Sequence, residues 1–320
     1  MIKATDLAWA RFAAPDLDRM ERFLTDFGLV RSARTVDALY MRGTNADHHF
    51  HITHLADELA FLGMAFKAAS LRDLKVLSRA EGASPVESID EPGGGWRVRI
   101  TDPHGFRVET VFGVGELAPL EDSEAVGPDF GPARRRGGPV ARQSRVPCQV
   151  RRLGHFVLNV PDCRASDDFY KAHFGFLSSD VCHVPDEPDE LAVVFNRVDR
   201  GKEFVDQHIH LSVRSEETGL GHIAFEVADV NALFIGHEHL KAQGHQHSWG
   251  IGRHTIAGQI FDYWFDPFGN RVEHYYGGDF LNAEDPTNVA PLKDVLHSQW
   301  GAQLADRRAS LTSDNDPLRT

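Results

Sequence analysis

The stretch that decides the fold is FDPFGNRVEHYY, residues 265–276, because an earlier stretch, TDPHGFRVETVF at residues 101–112, repeats its pattern. Both contain Asp-Pro, a glycine two positions later and Arg-Val-Glu, which predicts a turn followed by a strand. The repeat indicates that the two halves of the chain arose by duplication of one module. It also raises the question of whether Glu109, Glu273 or neither takes part in chemistry.

The segments before the two motifs also repeat each other. Residues 7–30 parallel residues 154–177, and each segment has an apolar strand-like run, then Pro-Asp, then a helix that ends at Phe-Gly. Asp16 and Asp162 are suitable N-caps, because their carboxylates can accept the free backbone N–H groups of the first helical turn. The duplication therefore extends over whole strand–helix units.

A second strand–helix unit lies within each half, at residues 62–82 and 221–244. In the later copy Asp229 is the predicted N-cap, and apolar residues follow it at helical spacing. Short alternating stretches, typical of antiparallel strands, follow in each half. Each half is therefore predicted to contain two βαβββ modules, and the predicted fold class is α+β.

The segment between the two halves has a different pattern. Residues 116–150 contain proline, glycine, an acidic cluster and a basic cluster without helical or strand periodicity, which predicts an inter-domain linker. The predicted domains are therefore an N-terminal one at residues 1–115 and a C-terminal one at residues 151–280. Residues 281–320 form a tail that could act as a lid before its polar end.

The composition is that of a globular protein. The chain has 320 residues, 42% of them hydrophobic, and no apolar run approaches the ~20 residues needed to cross a bilayer. A formal charge of −13 repels a phosphate backbone, so neither nucleic acid nor a membrane is an expected partner. Three cysteines and a start without an apolar stretch predict a cytoplasmic protein without disulfides.

Histidine is the unusual residue, since nine of the 18 lie between His208 and His274. When the halves are aligned on their shared motifs, His155 opens one strand of the second half, His222 opens another, and Glu273 ends the last motif. The residues opposite them in the first half are Trp9, Gly63 and Glu109. Only the second half has all three candidate metal ligands.

Two imidazoles and one carboxylate form the facial set that holds divalent iron and leaves coordination positions open. Neutral imidazoles with a single carboxylate leave the metal with net positive charge, so an anionic chelating substrate and O2 can bind together. A single strand histidine or glutamate is more often a packed or surface residue, and Glu109 is such a case. The three residues together, in register with a repeat, predict a metal centre.

The second motif belongs to a longer signature, GRHTIAGQIFDYWFDPFGNRVE at residues 252–273, in which His254 and Tyr263 precede Asp-Pro-x-Gly and Glu273. This pattern resembles the vicinal-oxygen-chelate superfamily, and within it the two-domain type I extradiol ring-cleaving dioxygenases. The resemblance covers essentially the whole chain and is strongest at residues 153–280. It implies that each domain is an incomplete, antiparallel-rich barrel, and that the N-terminal domain has lost its metal site.

By this resemblance, His155, His222 and Glu273 would be the ligands of Fe(II), with Mn(II) as the less common metal. The family's acid/base histidine lies 14 or 15 residues before the second ligand, which implies this role for His208. His210 is the fallback, because an alternating strand would direct both side chains to the same side.

His254 and Tyr263 match family residues that hydrogen-bond substrate oxygens. Tyr263 lies ten residues before Glu273, an even separation that predicts the same face of a regular strand. Asp262 departs from the family pattern, which usually has an apolar residue there, and this leaves the shape of the pocket wall open. His274 directly follows Glu273 and is expected to face away from the metal.

The remaining histidines and tryptophans of this region are predicted to have structural roles. Four histidines on the predicted helix after Asp229 and in the turn that follows it are expected to be solvated: His237, His239, His245 and His247. Two tryptophans that flank the signature are expected in the core rather than in the pocket: Trp249 and Trp264.

The predicted reaction is insertion of both atoms of O2 into a catechol-type substrate, with ring cleavage beside the diol, in the catabolism of aromatic compounds. The resemblance also implies a homo-oligomer, a tetramer or larger. Two alternatives are open. A metal-dependent glyoxalase-like isomerase normally needs four protein ligands, whereas a non-catalytic binding protein of the same superfamily would need none.

Overall fold

The computed structural model of the chain describes residues 1–121 and 146–303. Residues 122–145 of the predicted linker and residues 304–320 of the predicted lid lie outside the described residues. The described residues form strands and helices in four successive groups of one strand, one helix and three strands, followed by a C-terminal extension.

The first half contains two βαβββ modules, as the sequence predicts. The first module consists of β1 (Ala4–Ala14), α1 (Leu17–Asp26), β2 (Val30–Arg34), β3 (Ala38–Arg42) and β4 (His51–Leu55). The second consists of β5 (Ala60–Ala68), α2 (Leu71–Leu77), β6 (Glu87–Ser88), β7 (Trp96–Thr101) and β8 (Arg107–Phe112).

The second half repeats this order with one short extra strand, β12. Its first module consists of β9 (Val150–Val160), α3 (Cys163–Phe174), β10 (Leu177–Val184), β11 (Glu187–Arg197), β12 (Val205–Asp206) and β13 (His210–Arg214). Its second consists of β14 (Gly219–Val227), α4 (Val230–Ala242), β15 (His247–His254), β16 (Ile260–Phe265) and β17 (Arg271–Tyr276). The extension adds β18 (Phe280–Leu281), β19 (Asn288–Val289), α5 (Leu292–Leu296) and β20 (Ser298–Gly301).

The three predicted N-caps are confirmed. Asp16, Asp162 and Asp229 have extended backbones, and each side chain accepts a hydrogen bond from the backbone N–H three residues further on. Each carboxylate therefore satisfies one N–H group that the first helical turn leaves without a partner.

Each half forms one sheet, and the two modules within it pair in the same way in both halves. The first strands of the two modules pair antiparallel, β1 with β5 and β9 with β14, and each also pairs parallel with the last strand of its own module. The strand orders are β2-β3-β4-β1-β5-β8-β7-β6 and β19-β10-β11-β13-β9-β14-β17-β16-β15-β20. The predicted α+β fold with two sheet-rich, barrel-like halves is confirmed. The extension covers both edges of the second sheet with β19 and β20.

The registers of the two sheets justify the alignment of the halves. In the first sheet Ala65 pairs with Trp9 on one side and with Glu109 on the other. In the second sheet the corresponding residue, Ala224, pairs with His155 and Glu273. Residues that were matched by counting along the sequence therefore occupy the same positions in the two sheets.

The two halves pack against each other through aromatic side chains. Phe66 of β5 lies 5.8 Å from Phe156 of β9 and 5.2 Å from Phe174 of α3, measured between ring centroids. The ring of Phe27, which directly follows α1, stacks on the His274 ring of β17 at 3.6 Å between ring centroids. Nε2 of His274 donates a hydrogen bond to the backbone carbonyl of Phe27. His274 thus faces the inter-half core and not the candidate metal ligands, as predicted.

The three cysteines are free, buried thiols, in agreement with the expected absence of disulfides. Among the described residues, no helix has the length and apolar character that a membrane span requires.

Candidate metal centre and its cavity

Three adjacent strands in the middle of the second sheet bring His155, His222 and Glu273 together. The Nε2 atoms of the two histidines are each 3.2 Å from Oε2 of Glu273 and 3.4 Å from each other. Glu273 is fully buried, and the His155 side chain is only 2% exposed. The three candidate ligand atoms therefore form a nearly equilateral triangle at the bottom of a cavity.

This triangle has the size of one face of an octahedral metal site. Ligand atoms ~2.1 Å from a metal and at right angles to each other are separated by about 3 Å. Among the described residues, no group is oriented to hydrogen-bond either carboxylate oxygen of Glu273 or Nδ1 of His155. A buried carboxylate needs a positive charge or a hydrogen-bond donor beside it, which a metal ion or a protonated imidazole can supply. The donor set and its unsatisfied charge thus fit a divalent cation.

The protonation states also suit a metal. Burial lowers the pKa of His222 to about 4, so its imidazole is neutral at physiological pH. Burial opposes ionisation of Glu273, but the imidazoles of His155 and His222 beside it hold the pKa of this carboxyl well below its usual value. Neutral imidazole and ionised carboxylate are the forms that coordinate a divalent ion.

The equivalent position in the first half is occupied by a guanidinium group. Glu109 Oε2 accepts hydrogen bonds of 2.8 Å from Trp9 Nε1 and from Arg11 Nε, and Arg11 also pairs with Glu91 at 2.8 Å. Arg11 and Glu109 are both nearly inaccessible to solvent. Glu109 therefore has the guanidinium group of Arg11 beside it where Glu273 has two imidazoles.

Replacing Arg11 with leucine is expected to lower the free energy of unfolding by about 3 kcal/mol, because it leaves the Glu109 charge buried without its main partner. Urea denaturation measures this change. Arg34→Leu is the matched control, since Arg34 pairs with Asp18 and Glu21 at a more exposed position and should contribute less than about 1 kcal/mol. Equal losses in the two variants would contradict a buried ion pair at Glu109.

His208 lies against the candidate ligands, and its orientation is fixed from behind. Its ring centroid is 4.2 Å from that of His155, and its Nδ1 is 2.5 Å from the side-chain oxygen of Gln207. The amide nitrogen of Gln207 donates to Asp180, so the amide oxygen must be the atom facing His208. Because this oxygen can only accept, Nδ1 of His208 carries the proton and Nε2 has the lone pair.

The prediction that His208 and His210 share one side is wrong. The strand β13 begins only at His210, so the alternation of a strand does not extend back to His208. His210 is completely buried, hydrogen-bonds Asn196 and packs 4.1 Å from the ring of Tyr170. Of the two histidines, His208 lines the cavity.

His254 and Tyr263 stand beside the ligands and contact each other. Nε2 of His254 is 3.0 Å from the Tyr263 hydroxyl and 3.8 Å from Oε1 of Glu273. Tyr263 faces the same side as Glu273, but for a different reason than predicted. The two residues lie on different strands, β16 and β17, and are direct antiparallel partners across the Asp-Pro-x-Gly turn.

The cavity has a volume of about 900 Å³ and is lined by both halves of the chain. Its polar lining includes His155 and His222 with His208, His254 and Tyr263, and its lining also includes these apolar residues: Leu59, Phe61, Phe106, Phe268 and Val295. Val295 belongs to α5, so the described part of the C-terminal extension forms part of the wall. Trp249 is buried in a cluster with Phe261 and Tyr263, as predicted, and it also lines the cavity and stacks on Tyr263. Trp264 is fully buried, as predicted.

The prediction that four histidines are solvated is wrong. His237 and His247 contact Asp262, and His239 and His245 contact Asp26 of the first half, at distances of 2.8–3.2 Å. Asp262 is the residue that departs from the family pattern. This departure was the feature of the sequence that could have indicated a partner for His237 and His247. Its side chain points away from the cavity, so it does not shape the pocket wall.

Comparison with known proteins identifies the family. A model described as the Glyoxalase/Bleomycin resistance protein/Dioxygenase superfamily matches residues 152–274. Metapyrocatechase 2 from Cupriavidus necator is 30% identical over 305 residues, which cover 91% of this chain and 87% of that protein. The chain therefore belongs to the vicinal-oxygen-chelate superfamily and, within it, to the type I extradiol ring-cleaving dioxygenases.

Solved structures share the fold over nearly the whole chain. A Mn(II)-bound glyoxalase from Novosphingobium aromaticivorans has a TM-score of 0.79 at 22% identity, covering 96% of this chain and 94% of its own. Homoprotocatechuate 2,3-dioxygenase from Arthrobacter globiformis has a TM-score of 0.75 at 19% identity, covering 91% and 86%. These similarities establish the fold, and the resemblance inferred from the sequence is confirmed.

Proposed function

We propose that this chain is an extradiol dioxygenase that inserts both atoms of O2 into an ortho-dihydroxy aromatic compound and cleaves the ring beside the diol. The observation that carries the proposal is the buried triangle of His155, His222 and Glu273, whose two histidines line a largely apolar cavity. The relationship to Metapyrocatechase 2 over nearly the whole chain supports it.

The three residues of the triangle would hold a divalent metal, with Fe(II) proposed and Mn(II) as the alternative. When bound there, the ion would supply open coordination positions and the electron transfer that lets a singlet catechol react with triplet dioxygen. Both oxygen atoms enter the product, so the reaction consumes no external reductant. The role of the chain is then to bind the diol, position it, exclude water and move protons.

His208 is proposed as the acid/base group. Gln207 holds the proton on Nδ1, which leaves the Nε2 lone pair free to accept a proton from a substrate hydroxyl and return it later. Burial keeps the pKa of His208 well below its ordinary value, so the free enzyme has the neutral, proton-accepting form. Asp180 and Gln207 thereby act as positioning residues for His208.

His254 and Tyr263 are proposed to hydrogen-bond the substrate oxygens. Their side chains are already linked at 3.0 Å, so each restricts the orientation of the other before substrate binds. The stacking of Trp249 on Tyr263 restricts the tyrosine further. The apolar residues Phe61, Phe106 and Phe268 would contact the ring and its substituents and exclude water.

The alternatives have less support. A glyoxalase-like isomerase shares the fold with the Mn(II)-bound glyoxalase, but that similarity is at 22% identity. The candidate metal group here has three protein ligands among the described residues, against the four such isomerases normally need. A binding protein without a metal would not explain why two buried imidazoles converge on a carboxylate whose oxygens accept no hydrogen bond. A cytoplasmic location and a homo-oligomeric state remain parts of the proposal.

The direct test is anaerobic reconstitution of the chain with Fe(II) or Mn(II), followed by addition of O2 and a panel of catechols and trihydroxybenzenes. We expect uptake of one O2 per substrate consumed, with both atoms of labelled ¹⁸O2 in a ring-opened product. Metal binding without O2 uptake on any diol, together with isomerisation of a hemithioacetal, would replace the proposal with the isomerase. Failure to bind either metal would reject both.

A further inference from the structure

A second group of potential metal ligands lies behind the wall of the cavity. His237 from α4, His247 from β15 and Asp262 from β16 converge on the face of the second sheet opposite Tyr263. One ligand atom of each residue lies within 4.8 Å of those of the other two. The proposed dioxygenase reaction does not use any of these residues.

The distances in this cluster match those between the ligands of one ion. Oδ1 of Asp262 is 2.8 Å from Nε2 of His247 and 3.2 Å from Nδ1 of His237. Ligand atoms at ~2.0–2.1 Å from a tetrahedral zinc ion are separated by about 3.3 Å. Nδ1 of His237 is also 3.1 Å from Oδ2, so it lies between the two carboxylate oxygens.

The environment of Asp262 is that of a supported ligand. Its carboxylate is fully buried, and Oδ2 accepts a hydrogen bond of 2.6 Å from Trp264 Nε1, which leaves Oδ1 for the imidazoles. Ligating carboxylates in metal sites are commonly oriented in this way by a further hydrogen bond. The His237 and His247 side chains are 18% and 34% exposed, so an ion and a fourth, solvent ligand could reach the site.

We propose that His237, His247 and Asp262 bind a second divalent ion, of the zinc type, with a structural role. Two imidazoles and one carboxylate suit Zn²⁺, and three ligands from three elements would join α4 to the neighbouring strands β15 and β16. Tyr263 directly follows Asp262, so the ion would stiffen the strand that carries this wall residue. The competing occupant is a proton shared between Asp262 and the imidazoles.

The test titrates Zn²⁺ into the full-length, chelator-treated chain and measures stoichiometry and affinity by calorimetry. Glu273→Gln disables the first site, so one zinc ion per chain should remain in this variant. Adding His247→Ala is expected to weaken that remaining affinity by at least about 100-fold. His245→Ala is the matched control, because His245 lies in the same turn region but contacts Asp26, and it should leave the affinity within about 3-fold.

Several outcomes would overturn the proposal. If Glu273→Gln binds no zinc, the cluster holds only a proton. If His247→Ala and His245→Ala weaken binding equally, zinc adsorbs to surface histidines. Should His247→Ala fold poorly, His247→Gln repeats the test, and the visible spectrum of bound Co²⁺ must lose its tetrahedral bands. A different result would contradict the proposed function, namely that wild type and Glu273→Gln bind the same number of ions.

Discussion

Glu273→Gln is expected to abolish metal binding at the triangle and to lower kcat/KM by more than about 10³-fold. Glutamine preserves the shape of the side chain but removes the only negative ligand, and the loss of metal-ion stabilisation is worth several kcal/mol. The measurements are the iron bound per chain after anaerobic reconstitution and the steady-state O2 uptake with the best catechol of the panel. The zinc bound per chain is measured separately, because it reports the proposed second ion.

The same variant has a second expected effect, on the metal-free protein. The imidazoles of His155 and His222 hold the pKa of the Glu273 carboxyl well below its usual value, so the ionised carboxylate contributes stability at neutral pH that is lost as the pH falls through this pKa. Glu273→Gln should therefore lower the free energy of unfolding of the chelated protein at neutral pH by about 1–3 kcal/mol and remove this acid dependence. Urea denaturation of the chelated protein measures the change, and loss of iron in a variant that is still folded in the absence of urea cannot be attributed to misfolding.

Glu109→Gln is the control that the duplication provides. Glu109 occupies the same position in the first sheet, but Arg11 and Trp9 satisfy it, so iron content and kcat/KM should stay at wild-type values. Its free energy of unfolding is also expected to fall, because the Arg11 charge loses a partner. If Glu109→Gln also lost iron, or if Glu273→Gln retained it, the assignment of the metal to the second half would be wrong.

The sequence was sufficient for the triangle because strand pairing preserves position. Duplicated modules keep the same registers, so counting from a shared Pro-Asp or Ala-Phe locates equivalent residues in both sheets. The candidate ligands lie on three adjacent strands, and in each sheet an alanine of the middle strand pairs with both flanking positions. A local pattern was therefore enough to predict a three-dimensional neighbourhood.

Other features required knowledge of which strands meet. Tyr263 and Glu273 were assigned to one strand, whereas a turn separates them and pairing brings them face to face. The strand containing His208 was taken to start too early, because the two short strands β12 and β13 are separated by an irregular segment. The partners of the four outer histidines come from distant positions, Asp26 and Asp262, which periodicity cannot connect.

The tautomer of His208 is likewise a property of the folded chain. Gln207 is its neighbour in sequence, but the orientation of the Gln207 amide depends on Asp180 of β10. In the sheet, β10 is separated from β13 by β11. No motif in the sequence indicates this chain of hydrogen bonds. Because of these hydrogen bonds, replacing His208 is expected to have a large effect on activity.

His208→Asn is expected to lower kcat by about 10²–10⁴-fold while iron content and substrate binding stay within a few-fold of wild type. The asparagine amide can still donate to Gln207, but it has no basic nitrogen at the position of Nε2. The reaction would then have to lose the substrate proton to solvent in a water-poor cavity. Single-turnover O2 uptake on the iron-loaded enzyme measures the step, and anaerobic titration measures binding.

Gln207→Leu separates the proton role of His208 from mere contact. It leaves the imidazole in place but removes the acceptor that keeps the proton on Nδ1, so the productive tautomer is no longer selected. We expect a decrease in kcat of about 10-fold with KM and iron content unchanged, which a purely structural defect would not produce. Full activity in His208→Asn would remove the acid/base assignment. A large loss in His208→Asn without any loss in Gln207→Leu would remove only the tautomer argument.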